Sequence, residues 1–136
     1  MSELVAAEQW LTTVLTGDST LSASVGLRVY GHIVPEGTAY PYIWITNQAA
    51  TDVMGVGPAR ILTNTLYAVR AVVQDTTFVN LNTLADRIDT VLHAASGTVA
   101  AGTVVACVRV RPFVMVEPVG GVQYRHLGGI YRRLVQ

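Results

Sequence analysis

Leu4, Ala7, Leu11 and Val14, joined by Trp10 and Leu15, recur at the spacing of one helix face. Ser2 stands where a cap belongs and Glu3 lies in the positive first turn, while Gly17 marks the end. Asp18-Ser19-Thr20 offers a second cap for a short helical turn carrying Leu21 and Val25, with Gly26 as its stop. Two β-branched and aromatic runs follow, Arg28 to Val34 and Tyr40 to Asn47, separated by Pro35-Glu36-Gly37. They read as strands joined by a turn, with Tyr42 and Trp44 on one face.

Ala49 to Arg60 contains Gly55, Gly57 and Pro58 and shows neither period, so a long mobile loop is expected there. Ile61 to Gln74 is then a single long strand, reaching roughly 45 Å if unbroken at about 3.3 Å per residue, and its first part is expected to project from the domain. Leu81, Leu84, Ala85, Ile88, Val91, Leu92 and Ala95 define an amphipathic helix opposed by Asp86, Arg87, Asp89 and Thr90 and stopped by Gly97. From Val104 the chain alternates: Val108, Val110, Val114 and Val116 face one way, and Arg109, Arg111, Phe113 and Met115 the other. Pro112 implies an edge or a bulge, Pro118-Val119-Gly120-Gly121 a hairpin turn, and Val122 to Val135 the returning strand. Few helices beside hairpin-joined strands make the expected class α+β. The architecture is a mostly antiparallel, mixed sheet with an N-terminal helix and one long amphipathic helix packed on it.

At 136 residues this is one domain, 1–136, large enough for a real core. With 51% hydrophobic and 13% charged residues, disorder is excluded. The formal charge is zero, which argues against a dedicated nucleic-acid binder and leaves copies of the chain free of mutual repulsion. All the cations are arginine; a GC-rich genome accounts for this bias, and arginine is also the cation suited to buried contacts. Their placement is uneven. Residues 1–68 hold Glu3, Glu8, Asp18, Glu36 and Asp52 against Arg28 and Arg60, whereas 109–136 hold Arg109, Arg111, Arg125, Arg132 and Arg133 against Glu117 alone. Opposite poles on different surfaces allow head-to-tail docking, a contact that closes into a ring when the rotation permits.

Candidate chemistry is sparse. His32, His93 and His126 sit on separate elements, without the spacing of a metal site, and read as surface or half-buried imidazoles. Asp86 and Asp89 flank Arg87 on a solvated helix face rather than forming a catalytic pair. Ser19, Ser22 and Ser24 lie in a capping segment, and no nucleophile elbow occurs. Gly55-Val56-Gly57 lacks the third glycine of a dinucleotide loop, and a phosphate loop of the Gly-Lys type is impossible without lysine. Cys107 lies in an apolar run and reads as a buried, inert thiol. No catalytic, cofactor or metal site is therefore expected, and the chain is not read as an enzyme. No basic leader precedes the first apolar residues, and no apolar run approaches the roughly 18 residues of a membrane span, so a cytoplasm-like compartment without membrane association is expected.

Leu15, Gly17-Asp18, Leu21, Val25-Gly26, Arg28-Val29-Tyr30, Pro35 and Tyr40-Pro41-Tyr42-Ile43 resemble the opening of a tail-completion family of long-tailed bacteriophages, the tail terminator or tail-to-head joining proteins. The resemblance continues through Val72-Val73-Gln74, the helix Leu84 to Leu92, Tyr124-Arg125-His126 and Tyr131-Arg132, and so spans essentially the whole chain. It departs after Val73, where such proteins often carry an aromatic residue and this chain has Gln74-Asp75-Thr76-Thr77. The resemblance implies a virion protein of the tail and neck, assembled in the host cytoplasm as a homo-oligomeric, typically hexameric, ring. The ring caps the head-proximal end of the tail tube, stops polymerisation of the major tail tube protein and docks the head connector or neck proteins. DNA passes through its channel unread, and no cofactor is needed.

On this reading Arg109, Arg111, Arg132 and Arg133 are the candidates for intersubunit or connector contacts, with Asp18, Glu36 and Asp52 opposite. Met54 and Arg60 belong to the loop expected to order against a neighbour or the tube. Two other readings stay open. One is a head-completion or neck protein from the connector side; the other is a small-ligand or peptide-binding module using the sheet face around Tyr42, Trp44 and Tyr67.

Overall fold

The computed structural model describes residues 2–136; the expected cap at Ser2 lies outside the described side chains. In chain order it contains α1 (Ser2–Gly17), α2 (Ser19–Val25), β1 (Val29–Gly31), β2 (Tyr42–Met54), β3 (Arg60–Gln74), α3 (Val79–Leu92), β4 (Gly97–Val99), β5 (Gly102–Val119) and β6 (Val122–Val135). The strands form one sheet in the order β1-β2-β3-β6-β5-β4, antiparallel at every junction except the parallel pair β1 and β2. The class is α+β, as the element pattern predicts.

The apolar stripe of α1 explains its seat. Ala6, Ala7, Trp10, Leu11 and Leu15 are buried in one cluster with Ile43, Ile45, Tyr67, Val69, Ala71, Cys107 and Tyr131 of the sheet. Leu81, Leu84, Ile88 and Leu92 of α3 complete the same core. At about 2 kcal/mol per fully buried Leu or Ile side chain, this layer is what holds the helices on the sheet. Asp18 caps α2, accepting a hydrogen bond from the Leu21 N–H at 3.0 Å, and Gly26 ends the helix at φ 59°, both as expected. The amphipathic helix stops at Leu92, short of Ala95, because Ala94 turns to φ 64° and gives its N–H to the Cys107 carbonyl at 2.7 Å.

Cross-strand partners share a face, so the register sorts every strand residue. Ile43, Ile45, Thr65, Tyr67, Val69, Ala71, Leu127, Tyr131, Arg133, Cys107 and Arg109 face the helices. Tyr42, Trp44, Ala68, Arg70, Val72, His126, Ile130, Arg132, Arg111 and Phe113 face the opposite, helix-free side.

Three expectations are corrected. The runs flanking Pro35-Glu36-Gly37 do not form a hairpin: β1 is short and lies parallel to β2, with the Ile43 N–H bonded to the Arg28 carbonyl and the His32 N–H to the Ile45 carbonyl. The connection 32–41 is long enough to cross back to the start of β2 rather than turn tightly beside it. The segment Ala49 to Arg60 is not a loop: β2 runs to Met54 and pairs with β3, so only Gly55 to Ala59 lie outside the ladder. Ala49 to Met54 are exposed on both faces of the ribbon, so no buried face imposes an alternation of apolar and polar residues that would show the strand. Finally, Val110 is a bulge, with Arg109 opposite Tyr131 and Arg111 opposite Ile130. The extra residue reverses the alternation, so Arg109 and Arg111 point to opposite faces and Val108 joins Phe113 and Met115.

The β5–β6 turn agrees with its glycines. Gly120 and Gly121 both have positive φ, 57° and 82°, the tight hairpin geometry that only such residues enter without strain.

Candidate functional site

The β2–β3 hairpin is the most prominent exposed feature. β3 pairs with β6 only from Thr63 onward, so Val53 to Leu62 project as a two-stranded ribbon beyond the body of the sheet. Its tip exposes Val53, Met54, Val56 and Ile61, with Val56 wholly in solvent. At its base Thr63 donates a hydrogen bond to Asp52 at 3.0 Å, and Arg60 stands 3.8 Å from the same carboxylate. Glu3, Leu4, Ala50, Asp52, Arg60 and Thr63 line a cleft of about 120 Å³ where the ribbon meets the start of α1. A rigid stalk carrying apolar side chains into solvent suits contact with another protein, not chemistry.

The structure separates the other expected interface residues. Arg111 and Arg132 are exposed on the helix-free face, and neither forms a salt bridge among the described residues. Arg109 is exposed on the helix side, 3.6 Å from Asp89, which also accepts a hydrogen bond from the Tyr131 hydroxyl at 3.1 Å. Glu36 is exposed in the β1–β2 connection. Asp18 is occupied internally. It receives two hydrogen bonds from Arg87, at 2.6 and 3.0 Å, besides capping α2, and the Arg87 guanidinium holds its carboxyl below the usual carboxylate range. Arg87 thus bridges two helices instead of lying between Asp86 and Asp89 on a solvated face.

Arg133 is the clearest correction: it is fully buried, and a side chain without accessible surface cannot touch a neighbour. Its guanidinium lies 4.2 Å over the Tyr67 ring, none of its three nitrogens finds a hydrogen-bond partner among the described residues, and burial pulls its pKa down to about 10. Tyr67 in turn donates to Glu8 at 3.2 Å. A buried cation with this little compensation costs more in desolvation than it recovers. Replacing it by an apolar residue of similar length is therefore expected to stabilise the isolated subunit: Arg133→Met should gain about 2 kcal/mol in urea unfolding. A loss of stability would show that the ring contact and Glu8 compensate the charge.

A second site escapes sequence reading. Trp44, Arg70, Gly128 and Phe113 occupy one rung across β2, β3, β6 and β5 on the helix-free face. Gly128 has no side chain, so Arg70 lies across it, 4.1 Å from the Trp44 ring and 4.8 Å from that of Phe113. The next rung on this face holds Tyr42 and His126. Tyr42 packs on Tyr30 and Tyr40, and His126 lies 5.9 Å from Trp44. His126 is buried, not a surface or half-buried imidazole, and neither ring nitrogen has a hydrogen-bond partner among the described residues. The available signal was the spacing of Tyr124, His126 and Gly128 on one strand face. Tyr67, grouped with Tyr42 and Trp44 in the ligand-binding reading, lies on the opposite face in the core, so that aromatic platform does not form as expected.

Among the described residues no cluster of three or more His, Cys, Asp or Glu side chains is placed to hold a metal ion, and no helix is long and apolar enough to cross a membrane. Cys107 is buried, and burial raises its thiol to about 11. What the surface presents is a stalk, two free arginines and long strand edges: the class is a sheet-built structural subunit whose exposed groups suit protein contacts. The family model for tail completion protein gp17 matches residues 9–127, and the chain belongs to that family. The solved virion of a native gene transfer agent particle contains a chain of the same fold, with a TM-score of 0.72, 16% identity and 98% of each chain covered. No curated protein matches the chain. The protein is a structural component of a phage-type tail.

Proposed function

We propose that the protein is the tail terminator: copies form a ring, hexameric by the resemblance, on the head-proximal end of the tail tube. Burying the growing edge of the last tube ring removes the site at which the next tube subunit adds, and the opposite side of the ring docks the head connector. The virion tail and neck are its place in the particle, after assembly in the host cytoplasm. DNA passes through the channel without base readout, in keeping with a chain of zero net charge.

The projecting β2–β3 ribbon is the observation that carries this reading, because its apolar tip stands exposed to solvent. Met54 and its neighbours at the tip engage the tube or an adjacent subunit, with Asp52 and Arg60 holding the base. Arg109, Arg111 and Arg132 supply contacts to neighbouring subunits or the connector, and Glu36 is a candidate counter-charge. Asp18 and Arg133, both engaged inside the subunit, are left out.

A phage carrying Met54→Asp with Val56→Asp tests this. Both side chains are exposed, so the isolated subunit should keep its stability within about 0.5 kcal/mol. Electron microscopy of the lysate should show tails of uncontrolled length and unjoined heads. Normal virions at wild-type yield would overturn the assignment of the ribbon.

A further inference from the structure

Three arginines stand on successive rungs of the helix-free face: Arg70 with Trp44 and Phe113, Arg111 with Ala68 and Ile130, and Arg132 with Leu66 and Val108. Among the described residues none of them forms a salt bridge. Arg111 and Arg132 are exposed, whereas Arg70 is only 6% exposed, held between the Trp44 and Phe113 rings with its Nε unpaired. Glu117 lies on the same face, two rungs beyond Phe113 on β5, and pairs with none of the three. One recessed guanidinium flanked by two exposed ones is a receptor for a carboxylate, which the planar fork binds through two parallel hydrogen bonds.

Four carboxylates of the described chain are exposed: Glu36, Asp52, Asp86 and Glu117. Asp52 already holds Thr63 and Arg60, Asp86 lies on the flank of α3, and Glu117 belongs to the receptor's own face. Glu36 differs from these. It stands at the crest of a turn in the β1–β2 connection, followed by Gly37 at φ 78° and closed by the Thr38 hydroxyl, which donates to the Pro35 carbonyl. It has no ion pair among the described residues. Ile33 on the same connection is 81% exposed and complements the half-buried Leu66 and Val108 beside the arginines.

We infer that Glu36 of a second copy enters this receptor, its carboxylate reaching Arg70 between Arg111 and Arg132. The contact rests on the ring reading above and gives the exposed arginines their partner. Topology favours a second copy. β1 and β5 are four strand spacings apart in the sheet, about 19 Å, so a turn at the β1 border and an arginine on β5 belong to different sides of the subunit. Two complementary patches on different sides make a head-to-tail contact, the kind that closes into a ring. A protein carboxylate is favoured over a nucleic-acid phosphate, because a guanidinium enclosed between two rings admits a slender side chain rather than the broad surface of a duplex.

Charge reversal in the phage tests it, read by electron microscopy of isolated tails and by infectious yield; Glu36, Arg111 and Arg132 are all exposed. Glu36→Arg alone, and Arg111→Glu with Arg132→Glu, are each expected to leave tails without rings and to lower the yield about hundredfold, while the triple variant regains about tenfold. Glu36→Asp separates a recessed contact from a surface one: the shorter side chain misses Arg70 and lowers the yield about tenfold. A wild-type yield for Glu36→Asp would overturn insertion at Arg70. Normal rings in Glu36→Arg, or no gain in the triple variant, would overturn the pairing and leave the ring reading standing. Loss confined to the arginine variant would also overturn it, placing a carboxylate of the tube or connector on this face. So would an arginine variant with normal rings and joined heads that fails only in passing its DNA, which would assign the face to the channel. Wild-type tails without a ring would remove the ring reading and the pairing with it.

Discussion

Gly128→Ala is expected to abolish the folded subunit. A Cβ at this position would lie 2.0 Å from the Val69 carbonyl oxygen and 2.6 Å from the Arg70 Cα. Both obstacles are backbone in the central strand β3, which is paired on both sides and cannot yield. The methyl group would also enter the space over which Arg70 crosses to Phe113. Separating β3 from β6 sacrifices ladder hydrogen bonds along the central antiparallel pair of the sheet, so the cost is set at more than about 4 kcal/mol, the range reserved for gross steric failure. That is most of the stability of an ordinary domain. Urea unfolding followed by circular dichroism should show no native baseline at 25 °C. Gly31→Ala is the control, since nothing stands within 4 Å of its Cβ and its φ is not positive, and it should be silent. A Gly128→Ala protein within about 1 kcal/mol of wild type would refute the account of the rung.

Gly128 also shows where sequence reading stops. Local pattern suffices for α1 and α3, because the same stripe that marks the helix supplies the buried face, and for the β5–β6 turn, where Gly120 and Gly121 carry the required conformation themselves. It fails where a partner strand decides. The bulges at Gln48 and Val110 are defined by what lies opposite them, and each shifts every later residue to the other face. Arg109 and Arg111 were separated in this way, whereas the strand nature of Ala49 to Met54 was hidden because both of its faces are exposed.

Arg133 is a different kind of miss. It alternates with Tyr131 and Val135, both buried, so its period already placed it in the core. Its charge was given more weight than its position. Of the candidate interface, the ribbon at Met54 and Arg60 and the exposed arginines Arg111 and Arg132 were legible as polar or irregular positions. The uncovered edge of β2 beyond Ile45 was not, because it depends on how short β1 turns out to be.

Acid should weaken the fold through His126. Among the described residues its imidazole, buried beside Trp44, has no hydrogen-bond partner, and the charged group that acts on it is the Arg70 cation. Burial first, and Arg70 second, hold its pKa down to about 4 from the ordinary 6.5. The unfolded chain therefore takes up a proton at this side chain before the folded one does. Stability is fully present above about pH 6.5 and declines as the pH falls toward 4, where the folded imidazole also protonates and the decline ends. At 1.36 kcal/mol per unit over this window, the loss is about 3 kcal/mol. Asp18 acts in the same direction but lower, because its pKa is depressed by Arg87 from the ordinary 3.8. His126→Leu keeps an apolar side chain in the pocket and removes the titration. Urea midpoints measured from pH 7 to pH 4 should fall steeply for wild type and stay nearly level for the variant. Equal slopes for the two proteins would show that His126 is not the group that makes the subunit acid-sensitive.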